Sequence, residues 1–124
     1  MIEVLEGFPH GVIAFAAKGS LTKSDYTKVL VPAVMEALGR HKKVRLYYEL
    51  GADFSAVEPG AVWEDFKVGV EYISRWDRIA VVTDVDWIQF AVSIFRFLVP
   101  GDTRVFGTAQ AAEARRWIAA NRAA

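Results

Sequence analysis

A chain of 124 residues, 53% of them hydrophobic, has the length of one domain and enough apolar material for one core. Its 15 Lys and Arg balance 15 Asp and Glu, which leaves no broad positive field to draw in a nucleic-acid backbone and removes nucleic acid from the expected partners. With no cysteine there are no disulfides, thiolate nucleophiles or thiolate metal ligands, a composition that suits a reducing cytosol. Residues 1–6 lack the basic start and long apolar run of a secretion signal. The most apolar run, 87–100, is interrupted by Gln89, Ser93 and Arg96 and falls short of the roughly 20 residues needed to cross a bilayer. A cytoplasmic protein is expected, with any membrane contact peripheral.

Residues 2–6 and 11–17 are short apolar or β-branched runs joined by the turn-rich Gly7-Phe8-Pro9-His10, which predicts a hairpin. Thr22 caps a predicted helix with Asp25 at its third position, and Tyr26, Val29, Leu30, Ala33 and Ala37 carry helical spacing up to Gly39, a natural stop. Pro32 falls inside that pattern, lacks an N–H and crowds the Lys28 carbonyl, so a kink or two short helices are expected. Val44, Leu46, Tyr48 and Leu50 then alternate with Arg45, Tyr47 and Glu49, the period of a strand with one buried and one wetter face. A sheet covered on both sides would show a continuous apolar run, so the alternation predicts helices largely on one face.

Pro59 opens a predicted helix that runs to Trp76, with Val62, Phe66, Val70 and Ile73 as its core stripe and Glu64, Lys67, Glu71 and Arg75 as a solvated ladder. Residues 78–83 read as a central strand. Asp86, with Gln89 three residues on, resembles a capping box for a helix over 87–99 that ends before Pro100-Gly101. Residues 104–106 form a last short strand and 109–121 a final helix. The order is ββαβαβαβα, which predicts an α/β fold with a single-layer, mixed, mostly parallel five-stranded sheet joined by right-handed crossovers.

Trp63-Glu64-Asp65-Phe66-Lys67-Val68-Gly69, Arg78-Ile79-Ala80-Val81-Val82-Thr83-Asp84 with Trp87, Arg104-Val105-Phe106 and Glu113-Ala114-Arg115-Arg116-Trp117-Ile118 follow one another in a telling order and spacing. With Leu21-Thr22-Lys23-Ser24-Asp25-Tyr26 and Pro32, they resemble the SpoIIAA-like family of the STAS/SEC14-type fold over nearly the whole chain. The resemblance implies a βα superhelix with helices largely on one face, and little about chemistry, since fold does not fix function. STAS domains bind partner proteins and are switched by phosphorylation of a serine in an Asp-Ser-Ser-Gly-like turn at a helix start. The matching stretch here is Gly51-Ala52-Asp53-Phe54-Ser55-Ala56, which lacks that motif and argues against a switch at Ser55. The SEC14-like side of the relationship implies a hydrophobic ligand or a membrane surface.

The most unusual element is the helix over 87–99. Placed about 100° apart, Gln89, Ser93 and Arg96 gather in one narrow stripe, while the apolar residues occupy an arc of roughly 220°, about twice what a core-facing helix needs. One reading buries the whole arc between neighbours. The other gives one edge of it to a ligand cavity, a dimer interface or a membrane-facing patch, carried by Phe90, Ile94 and Phe97 with Trp87 and Leu98 beside them, and by Phe66 of the adjacent helix over 62–73. Asp84-Val85-Asp86 follows a central parallel strand, where ligands commonly bind, but Asp86 serves as a cap and Asp84 as a turn former, so no metal site is expected even with Glu49 and Asp53 near. Asp65 is assigned a structural hydrogen bond.

His10 and His41 are expected to be exposed. Arg40-His41-Lys42-Lys43-Val44-Arg45, the one dense basic run, suits a helix end, and on the same side as the apolar helix it would attract anionic headgroups. Neither a Gly-rich phosphate loop nor a nucleophile motif occurs, so no catalytic residue and no cofactor are expected. The expected function is non-enzymatic binding of an apolar small molecule, a lipid or a membrane surface. The alternative is a STAS-like interaction domain that self-associates as a homodimer.

Overall fold

The structure, a computed structural model, describes residues 1–57, 73–97 and 101–120. Strands β1 (Ile2–Val4) and β2 (Val12–Leu21) form the predicted hairpin, with Ile2 opposite Ala17 and Val4 opposite Phe15. Its connection turns on Gly7 and Gly11, whose φ values of +88° and +86° lie in the left-handed region that glycine enters without a Cβ clash. Strand β2 continues past the apolar run to Leu21. Its pairing with β3 (Val44–Val57) shifts register around Gly19, a bulge that lets both strands run on beyond the segments their alternation marks out. With β4 (Trp76–Thr83) and β5 (Asp102–Phe106) they make a five-stranded sheet in the order β1-β2-β3-β4-β5, antiparallel at the first pair and parallel throughout the rest.

The first crossover begins with α1 (Lys23–Asp25). Thr22 caps it: its Oγ1 accepts the Asp25 N–H at 3.2 Å, and Asp25 Oδ2 accepts the Thr22 N–H at 2.8 Å. A π-helical segment, Tyr26–Leu30, leads into α2 (Val31–Arg40). The distortion expected at Pro32 takes this form, the Val31 N–H reaching back five residues to the Tyr26 carbonyl so that the chain widens just before the ring that cannot donate. Helix α2 does not stop at Gly39. It passes through to Arg40 and ends on an extended His41, because Arg75 donates to the carbonyls of Leu38, His41 and Lys42 at 2.8, 2.7 and 2.5 Å and takes the place of a left-handed glycine.

Arg75 therefore is not part of a solvated ladder. It ends a short 3₁₀ turn, Ile73–Arg75, and Trp76, expected to close the helix begun at Pro59, is instead the buried first residue of β4. The rest of that helix, 58–72, with Asp65 and Phe66, lies outside the described residues.

Two cores sandwich the sheet. On one face Phe15, Leu21, Val44, Tyr48, Ile79 and Val81 meet Tyr26, Leu30, Val34 and Leu38 of the first crossover and Ile88 of α3 (Asp86–Phe95). On the other, Ala14, Tyr47, Ala80, Val82 and Phe106 meet Ala114 and Ile118 of α4 (Ala111–Ala119), which a 3₁₀ turn, Thr108–Gln110, precedes. The described helices thus lie largely on one face, and α4 covers the second. Tyr47, on the face read as wetter, has 0% exposure beneath it. Burial and the hydrogen bond its hydroxyl gives Glu49 at 2.6 Å push the Tyr47 phenol up to about 12. Arg45 and Arg78 hold the end of α4 to the sheet: Arg45 donates to the Ile118 and Ala120 carbonyls at 3.0 and 2.7 Å, and Arg78 to those of Trp117 and Ala120 at 2.8 and 2.9 Å.

The Thr22–Asp25 box carries a pH-dependent share of stability. Burial raises the Asp25 carboxyl, but the Thr22 N–H, the Met1 ammonium and the Thr22 hydroxyl outweigh it and hold the group below its ordinary value. A carboxyl depressed in the folded state adds stability that is present above its unfolded pKa of about 3.9 and is lost as pH falls through the folded one. Urea unfolding from pH 7 down to pH 2 is expected to show a steeper acid loss for the parent chain than for Asp25→Asn. Thr22→Ala is expected to cost about 1 kcal/mol at neutral pH.

Candidate functional site

Helix α3 is positioned at the exit of β4 by polar contacts other than those its sequence suggests. Asp86 does not cap it. Val85 holds the N-cap position without a side-chain bond, and Asp86 is the first helical residue. The work falls to Thr83 and Gln89: Thr83 Oγ1 accepts the Val85 N–H at 3.1 Å, and Gln89 Nε2 donates to the Thr83 carbonyl at 2.8 Å. Ser93 Oγ donates to the Gln89 carbonyl at 2.8 Å. The polar stripe is thus partly consumed in tying the helix to its strand. Asp84 accepts from both the backbone N–H and the hydroxyl of Thr108, joining the turns after β4 and β5, and those two bonds hold its carboxyl below the usual range. Glu49 is engaged by Tyr47, and among the described residues no group of three His, Asp or Glu side chains could hold a metal.

The helix ends at Phe95, short of the expected 99. Arg96 N–H still reaches the Val92 carbonyl, but Phe97 N–H turns to that of Ile94 in a tightened last step. Ile88 is buried and Val92 packs on the same core, which fixes the inward side. Trp87, Phe90 and Ile94 fall within about 60° of one another on the opposite side, at about 100° per residue, and Phe97 extends their line. Their exposures are 54%, 69%, 54% and, for Phe97, 85%. The reading in which the whole apolar arc is enclosed is overturned for these four. Among the described residues of the arc, Ile88 and Val92 are the ones that pack on the core. Leu98 and Phe66, expected beside them, lie outside the described residues.

No charged side chain interrupts the stripe, and Arg96 flanks its end with the guanidinium 6.0 Å from the Phe97 ring centre. The parallel sheet also settles where the basic run lies. Helices α2 and α3 both return against the strand direction, so each ends at the rim where β3 and β4 begin. Arg75, beside the start of β4, bonds to the end of α2, and Gly101, just beyond α3, approaches so closely that an added Cβ would stand 2.2 Å from the Asp77 carbonyl oxygen. Arg40 to Lys43 and Phe97 therefore share one rim. Ser55 lies within strand β3 and not in a turn at a helix start. No described helix is long and apolar enough to cross a membrane.

A family model described as SpoIIAA-like matches residues 12–119. Among solved structures, an uncharacterised protein of the DUF3478 family with a SpoIIAA-like fold, from Shewanella loihica PV-4, superposes with a TM-score of 0.74 at 22% identity, over 95% of this chain and 92% of that one. That likeness bears on the fold alone. No curated protein matches the chain.

Proposed function

The chain belongs to the SpoIIAA-like family, and on that footing we propose that it is a non-enzymatic binding module that lays the outward stripe of α3 on a membrane surface. The observation that carries this reading is the exposure of Trp87, Phe90, Ile94 and Phe97 on one side of one helix. Side chains this exposed suit an extended apolar phase better than an enclosed small molecule. Each such side chain taken out of water contributes about 1.5–3 kcal/mol. Arg96 and the cations of the run from Arg40 to Lys43 would supply attraction to an anionic surface, about 1 kcal/mol for each one near it.

Co-sedimentation with phosphatidylcholine vesicles, with and without phosphatidylserine, tests this. Binding is expected to both, stronger with the anionic lipid and weakened by salt. A second reading has its own support: a stripe rich in aromatics and free of charge has the composition of an interface core, and two copies paired across a two-fold axis would cover it. Sedimentation equilibrium without lipid separates the two. A concentration-dependent dimer that ignores vesicles transfers the stripe to self-association, and a monomer that ignores vesicles removes both.

A further inference from the structure

The two histidines, 31 positions apart, meet in a cleft of about 200 Å3 on the rim where the parallel strands begin. His10 and Gly11 come from the turn before β2, His41 and Lys43 from the link between α2 and β3, Arg45 from β3 and Asp77 from β4. His41, expected to be exposed, is half-buried, its Nδ1 3.9 Å from where a Cβ on Gly11 would stand. Helices α2 and α4 end beside this cleft, and bare helix C-termini would repel an anion. Several carbonyls there are already bonded, those of Leu38 and His41 by Arg75 and those of Trp117, Ile118 and Ala120 by Arg45 and Arg78. Asp77 is matched by Arg45 Nε at 3.1 Å.

What remains pointed at solvent is donor-rich. Lys43 gives one N–H to the Ser74 carbonyl at 2.7 Å and keeps two. Arg45 keeps Nη2, and neither imidazole has a hydrogen-bond partner among the described residues. Lys43 and Arg45 set two positive charges against the one of Asp77, with Arg40 and Lys42 exposed alongside. We infer that this cleft is a binding site for a phosphate-class oxyanion, whose several acceptor oxygens match N–H donors arriving from two separate segments, the turn before β2 and the stretch that opens β3. The inference does not rest on the α3 stripe. The phosphate is either free in solution or the headgroup of a lipid.

The test is titration with inorganic phosphate, against sodium chloride of equal ionic strength at fixed pH, followed by NMR of the two imidazoles. Saturable shifts of both are expected, with a Kd of ~1 mM or tighter. Lys43→Gln and His41→Asn are each expected to weaken binding about tenfold with the thermal midpoint retained. Shifts no larger than the chloride control, or unchanged affinity in both variants, would overturn the site. Phosphatidic acid vesicles identify the source: phosphate that competes with vesicle binding assigns the headgroup, and saturable phosphate binding without competition assigns the free anion. Vesicle binding lost in Phe90→Asp with phosphate binding intact keeps this site separate from the α3 stripe.

Discussion

Phe90→Asp is expected to lower vesicle binding about a hundredfold or more while moving the thermal midpoint by no more than about 2–4 °C. Phe90 is 69% exposed, so truncating it opens no cavity, and surface changes of this kind usually stay within about 0.5 kcal/mol of neutral. At a bilayer the same change removes about 1.5–3 kcal/mol of apolar transfer and adds the cost of carrying a carboxylate toward lipid, where about 1.4 kcal/mol is a factor of ten. Met35→Asp, which alters an exposed apolar residue on α2 by the same charge, is the matched control and is expected to bind like the parent. Equal binding by all three chains in co-sedimentation would remove α3 from the contact.

The largest loss of stability is expected at Ile118. This side chain of α4 has 0% exposure against Tyr47, Ala80 and Val82, and its replacement by Ala is expected to cost about 2–5 kcal/mol. That is a large part of the 5–15 kcal/mol or so that a domain of this size holds. Urea unfolding is expected to show a lower midpoint with an unchanged slope, and amide exchange in α4 is expected to accelerate before that of the central strands. A loss under about 1 kcal/mol would mean that α4 does not close the second face of the sheet.

These two residues also mark what local pattern can and cannot reveal. The alternation through 44–50 correctly sorted Val44, Leu46 and Tyr48 from Arg45, Tyr47 and Glu49, because a strand's period of two is local. It did not reveal that Tyr47 would be enclosed. The helix above it buries Ala114 and Ile118, and its small sheet partners Ala14 and Ala80 give a weak hydrophobic signal although they join that same core.

The stripe on α3 was legible as an excess of apolar perimeter, yet hydropathy alone cannot say that Ile88 and Val92, and not Phe90 and Ile94, face the strands. Caps failed where another partner, distant at α2 and nearby at α3, displaced the one expected. Arg75 closes α2 in place of Gly39, and Thr83 with Gln89 starts α3 in place of Asp86. The histidine cleft had no local signal, since its walls come from three crossings of one rim. The Thr22 cap with Asp25, whose mutual contacts lie three residues apart, was readable, while the Met1 ammonium that joins them was not.

The placement of α4 and α3 on opposite faces of one sheet has an orientational consequence. With α3 lying flat against lipid, the side bearing α4 looks into the water at the far end of the domain's thickness. A probe attached to Arg116 should then remain insensitive to brominated acyl chains that quench one at Ala91. In that orientation the surface around Arg116 would stay open to a second partner while the other side is occupied.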